Sequence, residues 1–194
     1  MPVVANLFTA PSLATLTTGR LTLRPYGPAD EAAFFTLLEQ ERHRLQPAFP
    51  ARAAATTTTV DAARVLATFL SDWRADRLYV FGIWHTDTAT YLGDISLRPQ
   101  SGRRRTAEIG YYLARNAEGH GYAREALAAA VQFGFDALQV DAFSIRCRAN
   151  NLRSCAVAQA VGFRQVPART RLWPLRKQDS EDEILYYSLK RSAT

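Results

Sequence analysis

The chain has 194 residues and a net charge of +6 at neutral pH, carried almost wholly by arginine, since Lys177 and Lys190 are its only lysines. That length suits one domain. With 47% hydrophobic and 22% charged residues it has the balance of a globular chain with a true core, which excludes an intrinsically disordered one. Two cysteines, Cys147 and Cys155, exclude a disulfide framework and a cysteine-rich zinc site, so no metal is expected. The absence of an apolar run of about 18 residues speaks against a membrane-spanning helix. Met1 to Ala14 lacks the basic and apolar regions of a secretory leader, so the expected location is cytoplasmic. Moderate basicity fits an anionic ligand such as a nucleotide, or an acidic protein surface. Nucleic acid is disfavoured, because the densest basic runs, Arg103 to Arg105 and Arg169 to Lys177, are short.

In chain order, residues 1–18 read as an irregular arm and residues 19–194 as one domain. Arg20 to Pro25 alternates polar and apolar side chains, as a half-buried strand does. Pro28-Ala29-Asp30-Glu31 opens a helix whose stripe is Phe34, Leu37, Leu38 and Leu45, and Pro47 and Pro50 are expected to break it. A second helix runs from Thr59 to about Arg74, with Val65, Leu66, Phe69, Leu70 and Trp73 on its apolar face. Three strands follow, at Leu78 to Thr86, Tyr91 to Arg98 and about Arg105 to Leu113, with a hairpin turn over Thr86 to Thr90. A glycine-bearing connection, Ala114 to Gly121, leads into a helix from Tyr122 to about Leu138. Its Ala126, Ala130 and Gly134 form a small-residue stripe suited to close packing on a sheet. Phe143, Ile145 and Cys147 alternate with Ser144, Arg146 and Arg148 as a strand. Asn150-Asn151 opens a last helix that Gly162 stops, and Phe163 to Val166 and Ile184 to Leu189 read as two final strands. The order is strand, two helices, three strands, helix, strand, helix, two strands, which a mixed sheet covered by helices on both faces satisfies.

The segment Glu118-Gly119-His120-Gly121-Tyr122-Ala123 joins a strand to a helix start. Helix starts expose unpaired N–H groups and the positive end of the dipole, and glycines let backbone approach a phosphate. A dinucleotide fingerprint needs a glycine where Arg124 stands, and a Walker loop needs Gly-Lys-Ser/Thr, so neither applies.

The stretch Ala107-Glu108-Ile109-Gly110-Tyr111-Tyr112-Leu113 followed by Glu118 to Ala126 resembles the acetyl-CoA signature of GNAT acetyltransferases. Asn151-Leu152-Arg153-Ser154 and Ala160-Val161-Gly162-Phe163 resemble elements of its ribosomal-protein N-terminal acetyltransferase (Rim-type) branch, and the likeness spans roughly Arg20 to Leu189. The resemblance implies an α/β GNAT fold, a mixed and mostly antiparallel sheet of about seven strands with helices on both faces. It also implies acetyl-CoA as cosubstrate, transferred to an amine by direct attack in a ternary complex. Asn116 departs from the family loop, which carries Gln or Arg there, and Glu118 stands where many relatives carry a basic residue.

By that resemblance, Tyr112, Leu113 and Ala114 lie along the pantetheine arm. Glu118, Gly119, His120, Gly121, Tyr122 and Ala123 form the diphosphate loop, with Asn151 and Ser154 nearby. Glu108 is the expected general base, against the alternative of a carboxylate paired with an arginine. Ser154 is the expected donor to the leaving thiolate, with Tyr111 and Tyr112 as rival donors. His120 reads as a solvated loop residue and Cys155 as a plain helix cysteine rather than a nucleophile. The branch implies a protein amino terminus as acceptor, with a small amine such as an antibiotic or polyamine as the alternative. Glu39 to Phe49 and Arg169 to Trp173 are the segments expected to shape the acceptor groove. A non-catalytic acetyl-CoA sensor is a further alternative, and the resemblance makes a homodimer plausible.

Overall fold

The computed structural model describes residues 13–102, 105–167 and 183–191. The expected acceptor segment Arg169 to Trp173 and the pair Arg103-Arg104 lie outside the described residues.

One sheet of eight strands organises the described chain: β1 (Leu16–Thr17), β2 (Leu21–Arg24), β3 (Tyr79–His85), β4 (Tyr91–Gln100), β5 (Thr106–Leu113), β6 (Ala142–Arg148), β7 (Arg164–Val166) and β8 (Ile184–Lys190). Their order is β1-β2-β3-β4-β5-β6-β8-β7. Every neighbouring pair is antiparallel except β5 with β6. The extra strand relative to the sequence reading is β1, two residues of the expected irregular arm that pair with Thr22 and Leu23.

Helices α1 (Glu31–Leu45), α2 (Pro50–Ala55) and α3 (Thr59–Arg74) intervene between β2 and β3, α4 (Tyr122–Asp136) follows β5, and α5 (Leu152–Ala160) follows β6. The first helix ends at Leu45, ahead of the expected break at Pro47 and Pro50. Pro50 also opens α2, a short helix the sequence did not announce, at a position where the missing proline N–H costs nothing. Thr58 caps α3 in a reciprocal box with Asp61, which is why that helix starts where it does.

Strand alternation divides the core in two. Tyr79, Phe81, Ile83, Ile95, Leu97, Ala107 and Ile109 point to the face covered by α4 and α5. Tyr26, Val80, Trp84 and Tyr112 point to the face covered by α1 and α3, where Phe34, Leu37, Leu38 and Leu66 meet them. The small-residue stripe lets α4 lie against the sheet: a Cβ on Gly134 would come within 2.3 Å of the Phe143 ring. No described helix is long and apolar enough to cross a membrane.

Candidate active site

The parallel pair β5–β6 stays joined for only three residue pairs, Thr106 with Ala142, Ala107 with Phe143 and Glu108 with Ser144. Beyond them β5 follows β4 as far as Leu113, while β6 follows β8 as far as Arg148. The strands therefore part, and a wedge opens between residues 109–113 and 145–148. The Ala114 N–H donates to Leu92 C=O on the β4 side at 2.8 Å. By alternation, Tyr111 and Leu113 are the residues whose main-chain polar groups face the wedge. Among the described residues those groups have no strand to pair with, and apart from the Leu113 C=O, which accepts from Arg44, they are open to an extended ligand that adds as a strand would.

At the end of the wedge, Arg115–Ala117 forms a single 3-10 turn, and Gly119 and Gly121 take positive φ of 83° and 80°. Apart from its chain neighbours, no atom of the described residues lies within 4 Å of where a Cβ on Gly119 would stand. Gly121 is the N-cap of α4 and supplies no side-chain acceptor, so the first-turn N–H groups of α4 are not capped by it. Arg20 braces the back of this loop. Its guanidinium donates to His120 C=O at 3.0 Å and to Glu125 at 2.7 and 2.9 Å, and it stacks 4.7 Å from the centre of the Tyr122 ring. Thr18 donates to the same Glu125 carboxylate at 2.6 Å. His120 is exposed, and Asn116 lines a cavity of about 730 Å³ with Thr36, Gln40, Glu41 and Tyr91. An open glycine cradle, a helix start and an unpaired strand edge together suit the diphosphate and pantetheine of acetyl-CoA.

On the α5 side of the wedge, the Asn151 side chain caps α5 by accepting from the Ser154 N–H at 3.1 Å. Tyr111 OH donates to Ser154 C=O at 3.0 Å, and Ser154 Oγ lies 3.1 Å from the phenol oxygen and 3.3 Å from Cys147 Sγ. Burial pushes the Tyr111 phenol up, so it keeps its proton at neutral pH. Burial likewise pushes the Cys147 thiol up to about 11, which leaves it a thiol and a poor nucleophile.

Tyr112 points the other way. Its ring is buried on the α1 face, with its OH 3.5 Å from that of Tyr91. Alternation turns its main-chain groups toward β4. The wedge edge that the sequence assigned to Tyr112, Leu113 and Ala114 is thus presented by Tyr111 and Leu113, and of the two rival tyrosine donors only Tyr111 reaches Ser154.

Glu108 lies on the same face as Tyr112, at the point where the wedge begins, and Arg146 donates to it at 2.6 and 2.7 Å. Phe49 covers the next position on that face: a Cβ on Gly110 would stand 3.4 Å from its ring. Glu108 and Ser154 therefore sit on opposite faces of the sheet with the wedge between them. Beneath Phe49, the fully buried Asp94 accepts from Arg52 of α2 at 2.5 and 2.6 Å and from Tyr26 OH at 3.0 Å.

Glu39 pairs with Arg42 at 2.5 Å, while Glu41 accepts from Arg44 at 2.6 Å and from the Arg115 N–H at 2.8 Å. Glu118 pairs with Arg44 at 2.9 Å and with Arg153. Glu39–Arg42 and Glu41–Arg44 are i,i+3 pairs within α1. The links of Glu41 to Arg115 and of Glu118 to Arg44 and Arg153 join α1, the loop and α5 across 35 to 74 residues, so no local sequence signal reveals them. Among the described residues no group of three or more His, Cys, Asp or Glu is arranged to hold a metal ion.

Residues 20–164 match the family described as the acetyltransferase (GNAT) domain. The chain belongs to the GNAT acetyltransferase family. It is therefore an acetyl-CoA-dependent N-acetyltransferase. It is 28% identical over 172 residues to YdaF of Bacillus subtilis, provisionally named a ribosomal N-acetyltransferase, covering 87% of this chain and 90% of that one. Its fold is shared by solved structures, two acetyltransferases among them. RimL, a ribosomal L7/L12 alpha-N-protein acetyltransferase in complex with coenzyme A, is 19% identical with a TM-score of 0.75, over 91% of this chain and 98% of that one. MccE, a microcin C7 self-immunity acetyltransferase in complex with acetyl-CoA and AMP, is 20% identical with a TM-score of 0.74, over 90% and 94%.

Proposed function

We propose that this GNAT enzyme acetylates the amino terminus of a protein or peptide, by direct attack on acetyl-CoA in a ternary complex. The observation that carries this reading is the state of the acidic residues near the acceptor face. Glu39 and Glu41 are already bound to arginines, and the strands flanking Glu108 carry Arg98, Arg146 and Arg148. Such a surface offers no cluster of free carboxylates among the described residues to hold an aminoglycoside or a polyamine. A single amine on a peptide needs only one base and an open approach. The names carried by YdaF and RimL point the same way.

In this reading the acceptor amine arrives on the Phe49 side and gives its proton to Glu108, directly or through a water. Arg146, which donates to that carboxylate, fixes its orientation. A main-chain N–H of Tyr111 or Leu113 faces the acetyl carbonyl and stabilises the oxyanion as it forms. The thiolate leaves on the opposite face, where it accepts a hydrogen bond from the Ser154 hydroxyl, which Tyr111 holds in place, and takes its proton from solvent.

The test is a mass-spectrometric screen of the purified enzyme with acetyl-CoA. It compares peptides with a free α-amine, the same peptides blocked at that amine, spermidine and an aminoglycoside. Acetylation confined to free α-amines supports the proposal. Faster turnover of either small polyamine contradicts it. Glu108→Gln should lower kcat by about 10²-fold or more while acetyl-CoA binding persists.

A further inference from the structure

Across the mouth of the wedge, α1, the glycine loop and α5 are tied by one ion cluster. Arg44 of α1 donates to Glu41 at 2.6 Å, to Glu118 at 2.9 Å and to the Leu113 C=O. Arg153, in the first turn of α5, donates to the other oxygen of Glu118, with its side chain otherwise 78% exposed. Glu118 adjoins Gly119, on the loop whose helix-start N–H groups favour an anion. Two guanidinium groups thus converge on one carboxylate inside an anion site. The loop itself supplies no basic side chain at Asn116, which instead lines the cavity beside α1.

We propose that Arg44 and Arg153 are the side chains that hold the diphosphate of acetyl-CoA, and that Glu118 is the anion they release to take it. The proposal rests on the assignment of the wedge and the glycine loop as the cofactor site. Planar guanidinium forks match phosphate oxygens two at a time, and a diphosphate offers both arginines what one carboxylate divides between them. The exchange also frees the Leu113 C=O, one of the wedge-facing groups open to the pantetheine arm. Arg44 and Arg153 thereby supply from α1 and α5 the positive charge that the family loop carries within itself. Because Arg44 also holds Glu41, which in turn holds the Arg115 N–H, filling the diphosphate site acts directly on the α1 end that leads into Phe49 and the acceptor face.

The experiment is titration calorimetry of coenzyme A and of 3′-dephospho-coenzyme A on the native chain, Arg153→Met, Arg44→Met and Glu118→Gln. Loss of a charge-assisted bond should raise Kd about tenfold in Arg153→Met and Arg44→Met, for both ligands. Glu118→Gln should lower Kd by about threefold or more, because the arginines no longer have to be taken from a carboxylate. The exposed Arg153 can be replaced without disturbing the core, so its result stands even where Arg44→Met unfolds. An unchanged Kd in Arg153→Met, or weaker binding by Glu118→Gln, overturns the proposal and leaves the cofactor site intact. An Arg153→Met effect that vanishes with 3′-dephospho-coenzyme A overturns the assignment to the diphosphate. Failure of the native chain to bind either ligand overturns the cofactor assignment and the proposal with it.

Discussion

The ion pair between Arg52 and Asp94 makes a quantitative prediction about what holds α2 and the adjoining Phe49 against the sheet. The Asp94 side chain is 0% exposed and that of Arg52 is 10% exposed. Tyr26 donates to the same carboxylate, and burial, together with the Asp94 charge, pushes the Tyr26 phenol well up. Asp94→Asn keeps the shape and the Tyr26 contact but leaves a guanidinium without its counter-charge in a nearly dry site. Breaking a buried pair by removing one partner costs about 3–5 kcal/mol. For a domain of this size that is a fall in Tm of roughly 6–20 °C. Arg52→Met should cost a similar amount. The double variant should recover most of the loss, because removing both charges also removes their desolvation penalty. Urea denaturation of the native chain, the two single variants and the double variant gives the coupling energy. Single variants that cost under about 1 kcal/mol, or that add without coupling, would refute the claim that α2 is pinned to the sheet by this pair.

Other outcomes follow from the same structure. Gly134→Ala should destabilise by about 1–3 kcal/mol despite the better helix propensity of alanine, since the new methyl collides with Phe143 and approaches Leu97 at 3.1 Å; a gain in Tm would contradict the packing. Burial opposes ionisation of Asp30, Glu41 and Glu125, yet their arginine and main-chain N–H partners, with the Thr18 hydroxyl foremost at Glu125, hold all three below the ordinary carboxylate range, and the Thr57 and Thr58 hydroxyls hold Asp61 down to about 2. Depressed folded-state values mean that this stabilisation is present above the ordinary values of 3.8 and 4.5 and is lost as pH falls through the folded ones. Tm should therefore fall steeply between about pH 4.5 and pH 2, and a flat acid limb in a calorimetric series would contradict the assignment.

Much of the architecture was legible because its signals are local. The helix pattern from Thr59 marks the start of α3, Asn151 marks that of α5, and the alternation from Phe143 to Arg148 marks β6. The glycine loop was legible because strand, glycines and helix start are consecutive. Elements whose order depends on distant partners were not. Helix α2 is six residues long and is held by Arg52 reaching Asp94, 42 residues away, so beyond the break at its prolines the segment showed no helix. The two-residue β1 carries no periodic signal of its own and exists because β2 pairs with it. Glu108 and Ser154 could be named from the resemblance, yet their positions on opposite faces of the wedge depend on the strand register. Arg20, Arg44 and Arg153 were three arginines among many. Only the fold brings them to the glycine loop.

The central claim is that the glycine loop and the β5–β6 wedge receive acetyl-CoA. Its most direct test is titration calorimetry of acetyl-CoA into the native chain and Gly119→Glu. A side chain at residue 119 projects into open space beside the loop, so the added carboxylate meets the diphosphate rather than the protein. Its positive φ costs the variant about 1–2 kcal/mol, which leaves a folded chain to titrate. The account predicts a Kd in the micromolar range for the native chain and a loss of about a hundredfold or more in the variant. Equal binding by both chains would contradict the placement of the diphosphate, and no binding by the native chain would contradict the account as a whole.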